Sequence, residues 1–405
     1  MSLSRGRPYL AIPGPSVMPD AVLNAMHRAS PNIYSGELID MVASLLPDLK
    51  RVACTDQEVA IYITNGHGAW EAALTNLFSR GDRVLVPATG LFAHGWANMA
   101  ERLGVSVRRL DFGRRSAIDP AEVEAVLRAD RTHSIKAVMT VQVDTATSVR
   151  NDVRGLRAAI DRAGHPALLV IDCIASLAVD EFRMDEWGVD AMVAASQKGL
   201  MTPPGLGFVF FNARADRARE AAGLVTPYWD WRPRATPEVF YQYFCGTAPT
   251  HHLYGLRAAL DMILDEGIGA VWRRHATLAR GVWAAFDAWG RAGGMEMNIA
   301  DPAMRSHAVT TIRAGGDNGR RIQDWTARHA GVTLGIGLGM ETDEDPQSAA
   351  SFRIGHMGHV NAHMVMGALG AVGMALHALE VPHGPGALEA AAGVLAEGVT
   401  ASRRS

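Results

Sequence analysis

The chain has 405 residues, only three cysteines and a formal net charge of −3. This near-neutral balance gives no electrostatic reason to expect nucleic acid or an anionic membrane as partner. Cys54, Cys173 and Cys245 lack the spacing of a disulfide framework or a zinc site and read as reduced packing residues of a cytoplasmic protein. The opening, Met1 to Pro8, lacks the apolar stretch of a secretory signal. The segment from Met364 to Leu376, about 13 residues, falls short of the ~20 that a membrane span needs.

Residues 1–20, with the Gly/Pro-rich Ile12-Pro13-Gly14-Pro15, read as an arm laid over the surface. Beyond it, strand-like runs are predicted at Val59 to Thr64, Arg83 to Pro87, Ile135 to Val141, Ala167 to Asp172 and Ala191 to Ala194. Helical patterns lie between them at Ala69 to Phe78, Ala93 to Leu103, Pro120 to Leu127 and Asp152 to Ala163, with Asp119 as the cap before Pro120. This alternation implies an α/β fold with a mostly parallel sheet wrapped by helices. Ligands on such sheets sit beyond the carboxyl ends of the strands, where Asp172 falls.

A helical stretch from His252 to Trp289 breaks near Gly267 and Gly269, which sets a boundary between a large domain, 21–266, and a small one, 267–405. The small domain reads as α+β, with strands at Ala308 to Arg313 and Ser351 to Ile354, a helix from Asp317 to His329, and helices after Val360. Gly335-Ile336-Gly337-Leu338-Gly339 lacks the setting of a dinucleotide fingerprint and reads as a flexible loop.

Three features carry chemistry. Lys198 is a lone lysine among small and apolar residues, and such an amine loses hydration and becomes a better nucleophile toward an aldehyde. Asp172 ends a continuous apolar run, as an acid at the tip of a buried strand does. The turn Thr64-Asn65-Gly66-His67-Gly68 follows a strand and opens a helix, so its N–H groups can cradle an anion. Taken singly, each has a plain alternative: a capping aspartate, a surface lysine, a structural turn. The pairs His356/His359 and His251/His252 lack partners to complete a metal site, so no metal is expected. Trp229 and Trp231 read as core or interface packing.

In combination these motifs resemble the class V aminotransferases, in the branch that uses glyoxylate with alanine, serine or aspartate. The resemblance rests on Gly66-His67-Gly68-Ala69-Trp70-Glu71, Asp172 followed by Ser196-Gln197-Lys198, Pro203-Pro204-Gly205 and Arg353-Ile354-Gly355-His356-Met357-Gly358, with Pro13-Gly14-Pro15 at the start. It implies the type I fold of pyridoxal 5′-phosphate enzymes, with Lys198 bonded to the cofactor aldehyde and Asp172 paired with the ring nitrogen. It places Asn65, Gly66, His67 and Gln197 at the phosphate, Phe92 on the ring face, Thr145 beside the ring oxygen and Ile174 among the cofactor contacts. Gly14 and Arg353 fall to the substrate, Arg353 as clamp for its carboxylate. Thr247 matches a threonine that reaches the phosphate of the neighbouring subunit, implying a homodimer, with a tetramer left open. Relatives often carry His-Asn-Glu-Thr where this chain has Gln142-Val143-Asp144-Thr145.

The implied reaction is ping-pong transfer of an amino group from serine, alanine or aspartate to a small 2-oxo acid, foremost glyoxylate. An anion about 4 Å from a cationic ring contributes ~4 kcal/mol at an effective dielectric of 20, an upper scale of about a thousandfold in rate. Alternatives are transfer from pyridoxamine to pyruvate, a lyase, and a non-catalytic cofactor binder. The last cysteine, Cys245, lies well before Arg353, which argues against desulfurase chemistry.

Overall fold

The computed structural model describes residues 3–402. Met1 and Ser2 of the expected arm and Arg403 to Ser405 of the expected small domain lie outside the described residues. In chain order the strands are β1 (Tyr9–Ala11), β2 (Glu58–Thr64), β3 (Arg83–Ala88), β4 (Ser106–Asp111), β5 (Ile135–Val141), β6 (Val143–Asp144) and β7 (Val149–Arg150). They continue with β8 (Leu168–Asp172), β9 (Ala191–Ala195), β10 (Gly205–Phe211), β11 (Glu296–Met297), β12 (Val309–Arg313), β13 (Val332–Ile336) and β14 (Ser351–Gly355). The helices of the first part are α1 (Asp20–Met26), α2 (Glu37–Ala53), α3 (Gly66–Leu77), α4 (Leu91–Arg102), α5 (Pro120–Ala129) and α6 (Val153–Arg162). Then follow α7 (Ala213–Ala221), α8 (Arg232–Ala235), α9 (Thr250–Glu266), α10 (Ile268–Gly290), α11 (Asn318–Trp325), α12 (Ala362–Ala378) and α13 (Ala387–Ser402).

Among the described residues the larger sheet has the order β2-β10-β9-β8-β5-β3-β4, parallel throughout except for β10, which runs antiparallel to both neighbours. Both faces are covered, so successive residues go to different cores. Ile61, Leu85, Val138 and Leu169 join a core under α2, α5, α6 and α9. Their neighbours Tyr62, Val86, Met139 and Val170 join the core under α3 and α4. Capping fixes where the helices begin: Asp119 accepts from Ala121 N at 2.8 Å ahead of α5, and Asp152 accepts from Gly155 N at 3.0 Å ahead of α6.

The second sheet, β1-β13-β14-β12-β11, packs on α10, α12 and α13 around its own core. Four expectations change here. The opening is no mere surface arm: β1 pairs parallel with β13, and Ala11 is fully buried in that core. Gly335 and Ile336 belong to β13 rather than to a flexible loop: Gly335 pairs with Arg353 of β14, and a Cβ there would stand 2.7 Å from Pro13 Cδ. The helix expected to His329 leaves α-geometry after Trp325 and finishes as a π-turn, Thr326–Ala330. Of the three free thiols only Cys173 is a buried packing residue, while Cys245 is exposed. Among the described residues no helix is long and apolar enough to cross a membrane.

Candidate active site

The carboxyl ends of β2, β5, β8 and β9 converge on one cavity of about 220 Å³. At the end of β2, Asn65 caps α3 by accepting from His67 N at 3.0 Å. Asn65, Gly66 and His67 line the cavity with the N-terminal turn of α3, whose backbone N–H groups and dipole favour an anion. A Cβ at Gly66 would lie 2.5 Å from Ile174 Cδ1, so a larger residue here makes the Ile174 side chain move.

Asp172, at the tip of β8, and Ile174 just beyond it also line the cavity. The carboxylate is buried and accepts one bond on each oxygen: Ile174 N to Oδ1 at 2.6 Å, and Trp70 Nε1 to Oδ2 at 2.7 Å. Burial pushes this carboxyl up to about 7 despite the two donors and Lys198, and the nearby Asp144 adds to the rise.

Gln197 and Lys198 enter from the loop after β9. The Lys198 ammonium donates to the Pro13 carbonyl. Burial, helped by the positive charge of Arg353, lowers this amine to about 8, which makes its neutral, nucleophilic form accessible near neutral pH. Gly14 lies against it: at φ +90°, a Cβ would stand 2.5 Å from Lys198 Nζ. Gln197 Oε1 is buried without a hydrogen-bond partner, and its amide can flip to offer an N–H to a ligand.

Phe92, in the first turn of α4, and Thr145, in the turn between β6 and β7, complete the predicted lining. Arg353 and Thr247 fall outside it. Arg353 is buried in β14, where Nη1 donates to Thr145 O at 2.7 Å and Nε to Ile336 O at 2.6 Å. It braces the Thr145 turn, and burial lowers its guanidinium to about 10. Thr247 is exposed in the turn before α9.

Two residues that sequence reading did not single out prove central. Trp70 lines the cavity one turn into α3, and a buried indole N–H needs an acceptor, which was the available signal. Asp144 is fully buried and accepts from Phe92 N at 2.9 Å and Ala146 N at 2.9 Å, tying two cavity walls together. Its signal was an acid within Asp144-Thr145-Ala146-Thr147, a run that favours a side-chain-closed turn. Trp231, by contrast, is core, stacked on Phe211 at 4.3 Å, and Trp229 is held by Glu71 at 3.1 Å, both away from the cavity.

The arrangement suits a planar ring with an anionic tail: an anion-binding turn, an aromatic wall, one acid, and one amine poised for a carbonyl. The comparisons agree. The family model described as Aminotransferase class-V matches residues 9–338. The serine–glyoxylate aminotransferase of Methylorubrum extorquens is 37% identical over 397 residues, covering 96% of this chain and 95% of that protein. The L-aspartate–glyoxylate aminotransferase of Paracoccus denitrificans is 35% identical, covering 92% and 91%. In fold, the crystal structure of pyridoxamine–pyruvate aminotransferase from Mesorhizobium loti superposes with a TM-score of 0.87 over 98% of this chain and all of that one, at 24% identity. With a cavity of this chemistry at its strand ends and a family match over most of its length, the chain belongs to the class-V aminotransferases.

Proposed function

We propose that the protein is a pyridoxal 5′-phosphate transaminase that moves the amino group of serine, alanine or aspartate to glyoxylate in two half-reactions. One observation carries this reading: Lys198 and Asp172, an amine and an acid both removed from water, line the same cavity. The relatives named for serine–glyoxylate and aspartate–glyoxylate transfer support the substrate pair.

The cavity residues fit this cofactor. The N-terminal turn of α3, His67 and the orphaned Gln197 amide hold the phosphate, and Phe92, Thr145 and Ile174 enclose the ring. When bound, pyridoxal phosphate supplies an aldehyde for Lys198 and a ring that takes up the electron pair left when the substrate Cα–H bond breaks. Asp172 holds the ring nitrogen proton by its negative charge. Lys198 would then be the base that moves the substrate Cα proton, a role that an amine lowered by burial to about 8 fits. Arg353, with Nε and Nη1 bracing Ile336 O and Thr145 O, turns its remaining Nη2 to the substrate carboxylate, and Gly14 gives access beside Lys198.

Thr247 serves the phosphate of a second subunit, which makes a homodimer the working unit. Its exposure, and that of Tyr241 and Val239 in the same segment, supports a partner face there. The large and small domains meet near Gly267, a division supported by the packing of α9 mainly on α1 and α2 and of α10 mainly on α13. Free thiols at Cys54 and Cys245 fit a reducing, cytoplasmic setting.

Borohydride reduction of cofactor-loaded protein followed by peptide mapping tests the reading: Lys198 carries the label, and an unlabelled Lys198 overturns it. Serine, alanine and aspartate are then screened for bleaching of the cofactor absorbance, and glyoxylate for its return. Activity confined to pyridoxamine and pyruvate reassigns the substrates, and no response to any amine leaves a non-catalytic binder.

A further inference from the structure

We propose that Trp70 is a positioning residue, whose indole N–H fixes the Asp172 carboxylate in one orientation and favours its ionised form. The inference rests on the cofactor reading above, because it concerns how the acid is made ready for that ring.

The two bonds to Asp172 differ in origin. Ile174 N belongs to the chain just downstream, so its bond to Oδ1 is a local turn that accompanies the aspartate. Trp70 Nε1 comes from α3 and reaches Oδ2 at 2.7 Å at the carboxyl end of the central strand β8. An indole N–H only donates, so it stabilises the carboxylate over the carboxylic acid. Its direction is set by packing: the ring is 1% exposed, stacked on Trp96 at 6.0 Å and 14°, and edge-on to Phe92 at 6.4 Å. His67 lies over it at 4.6 Å.

The other titratable groups near Asp172 do not substitute for this donor. Asp144, in β6, repels a second negative charge, and Cys173, the next residue, is a buried thiol. Lys198, after β9, is a nearby cation, but its ammonium is engaged with the Pro13 carbonyl. His67 faces the indole ring of Trp70. Arg353, whose charge is felt at Lys198, is committed to Thr145 O and Ile336 O. Without the indole N–H, the buried Asp172 keeps a single hydrogen-bond donor from the protein and takes up a proton more readily.

The test uses the cofactor-free protein and pyridoxamine 5′-phosphate, which binds without a bond to Lys198. Its dissociation constant is measured between about pH 5.5 and 8.5 for wild type, W70F and W96F. For W70F the acid limb of affinity moves up by about one pH unit, which is about a tenfold weakening near pH 6 that closes again by pH 8.5. W96F perturbs the same aromatic stack without touching Asp172, and its limb stays in place. A W70F loss of equal size at every pH, or no loss, overturns the proposal. If W70F does not fold, benzothienylalanine at position 70 keeps the ring shape and removes only the N–H, with the same outcomes. Wild-type protein that takes up no cofactor on Lys198 defeats the cofactor reading instead, a result separate from any shift in W70F.

Discussion

Asp172 and Asp180 are both almost wholly buried and lie on one short stretch of chain, yet their surroundings are opposite. Asp172 faces the cavity with two neutral donors and is pushed up to about 7. Asp180 lies where the large sheet's connections meet the second sheet, and it receives Ser306 Oγ at 3.1 Å, His307 N at 3.1 Å and His307 Nδ1 at 3.0 Å, with Arg150 at 3.8 Å. Burial pushes Asp180 up as well, but His307 and Arg150 outweigh it and hold the carboxyl below the usual range. The contrast separates two uses of a buried acid. One is saturated with partners and joins two parts of the molecule, while the other has only two neutral donors and faces a cavity, as the proposed role of pairing with a cationic ring needs.

The largest expected effect separates them by function. Asp172→Asn lowers turnover by about a thousandfold, the ~4 kcal/mol scale of its ion pair with a cationic ring, while the protein stays folded. Circular dichroism with steady-state kinetics checks both halves, and near-normal turnover removes Asp172 from its role. Asp180→Asn does the reverse. Its amide N–H₂ meets other donors, and the unfolding free energy falls by about 3 kcal/mol, with turnover per folded molecule retained.

Arg353→Lys sharpens the comparison at the level of one cation. Lysine cannot hold Thr145 O and Ile336 O together while presenting a further N–H to a carboxylate. KM for the amino donor rises about thirtyfold, near 2 kcal/mol, with cofactor still bound by absorbance. An unchanged KM places the substrate carboxylate elsewhere.

What the sequence revealed follows the same division. The strands β5 and β8 are legible because burial on both faces leaves continuous apolar runs, and α5 because Asp119 and Pro120 announce its start. Strand β4, Ser-Val-Arg-Arg-Leu-Asp, is hidden by the charges of an exposed edge, and β1 by being three residues long with its partner β13 far along the chain. Helix α2 runs through Pro47, which local rules read as a break. In the site, Lys198 and the Gly66 turn stand out because their local spacing carries the chemistry. Trp70 and Asp144 do not, since each acquires its meaning from an acceptor or donor that only folding brings near.

The smallest expected effect is also the most diagnostic, because its sign differs between the two acids. Asp172 binds its proton more tightly folded than unfolded, so the penalty for its charge is absent below the unfolded value of 3.8 and complete above about 7. A shift of that size corresponds to at most about 4 kcal/mol. The amide introduced by Asp172→Asn retains part of the burial cost and the cavity admits water, so a gain of about 1 kcal/mol is expected in cofactor-free protein. Asp172→Asn therefore gains stability over wild type as pH rises from 4 toward 8. Asp180 is the mirror case, its stabilisation complete above the unfolded value of 3.8 and lost as pH falls through the depressed one, so Asp180→Asn loses its full amount at every pH above about 4 and progressively less below it. Urea denaturation of Asp172→Asn at pH 4.5 and 8, and of Asp180→Asn at pH 3 and 5, reads the two slopes in the windows where each acid titrates. If they share a sign, burial alone governs the two acids, and the partners that distinguish them are without energetic consequence.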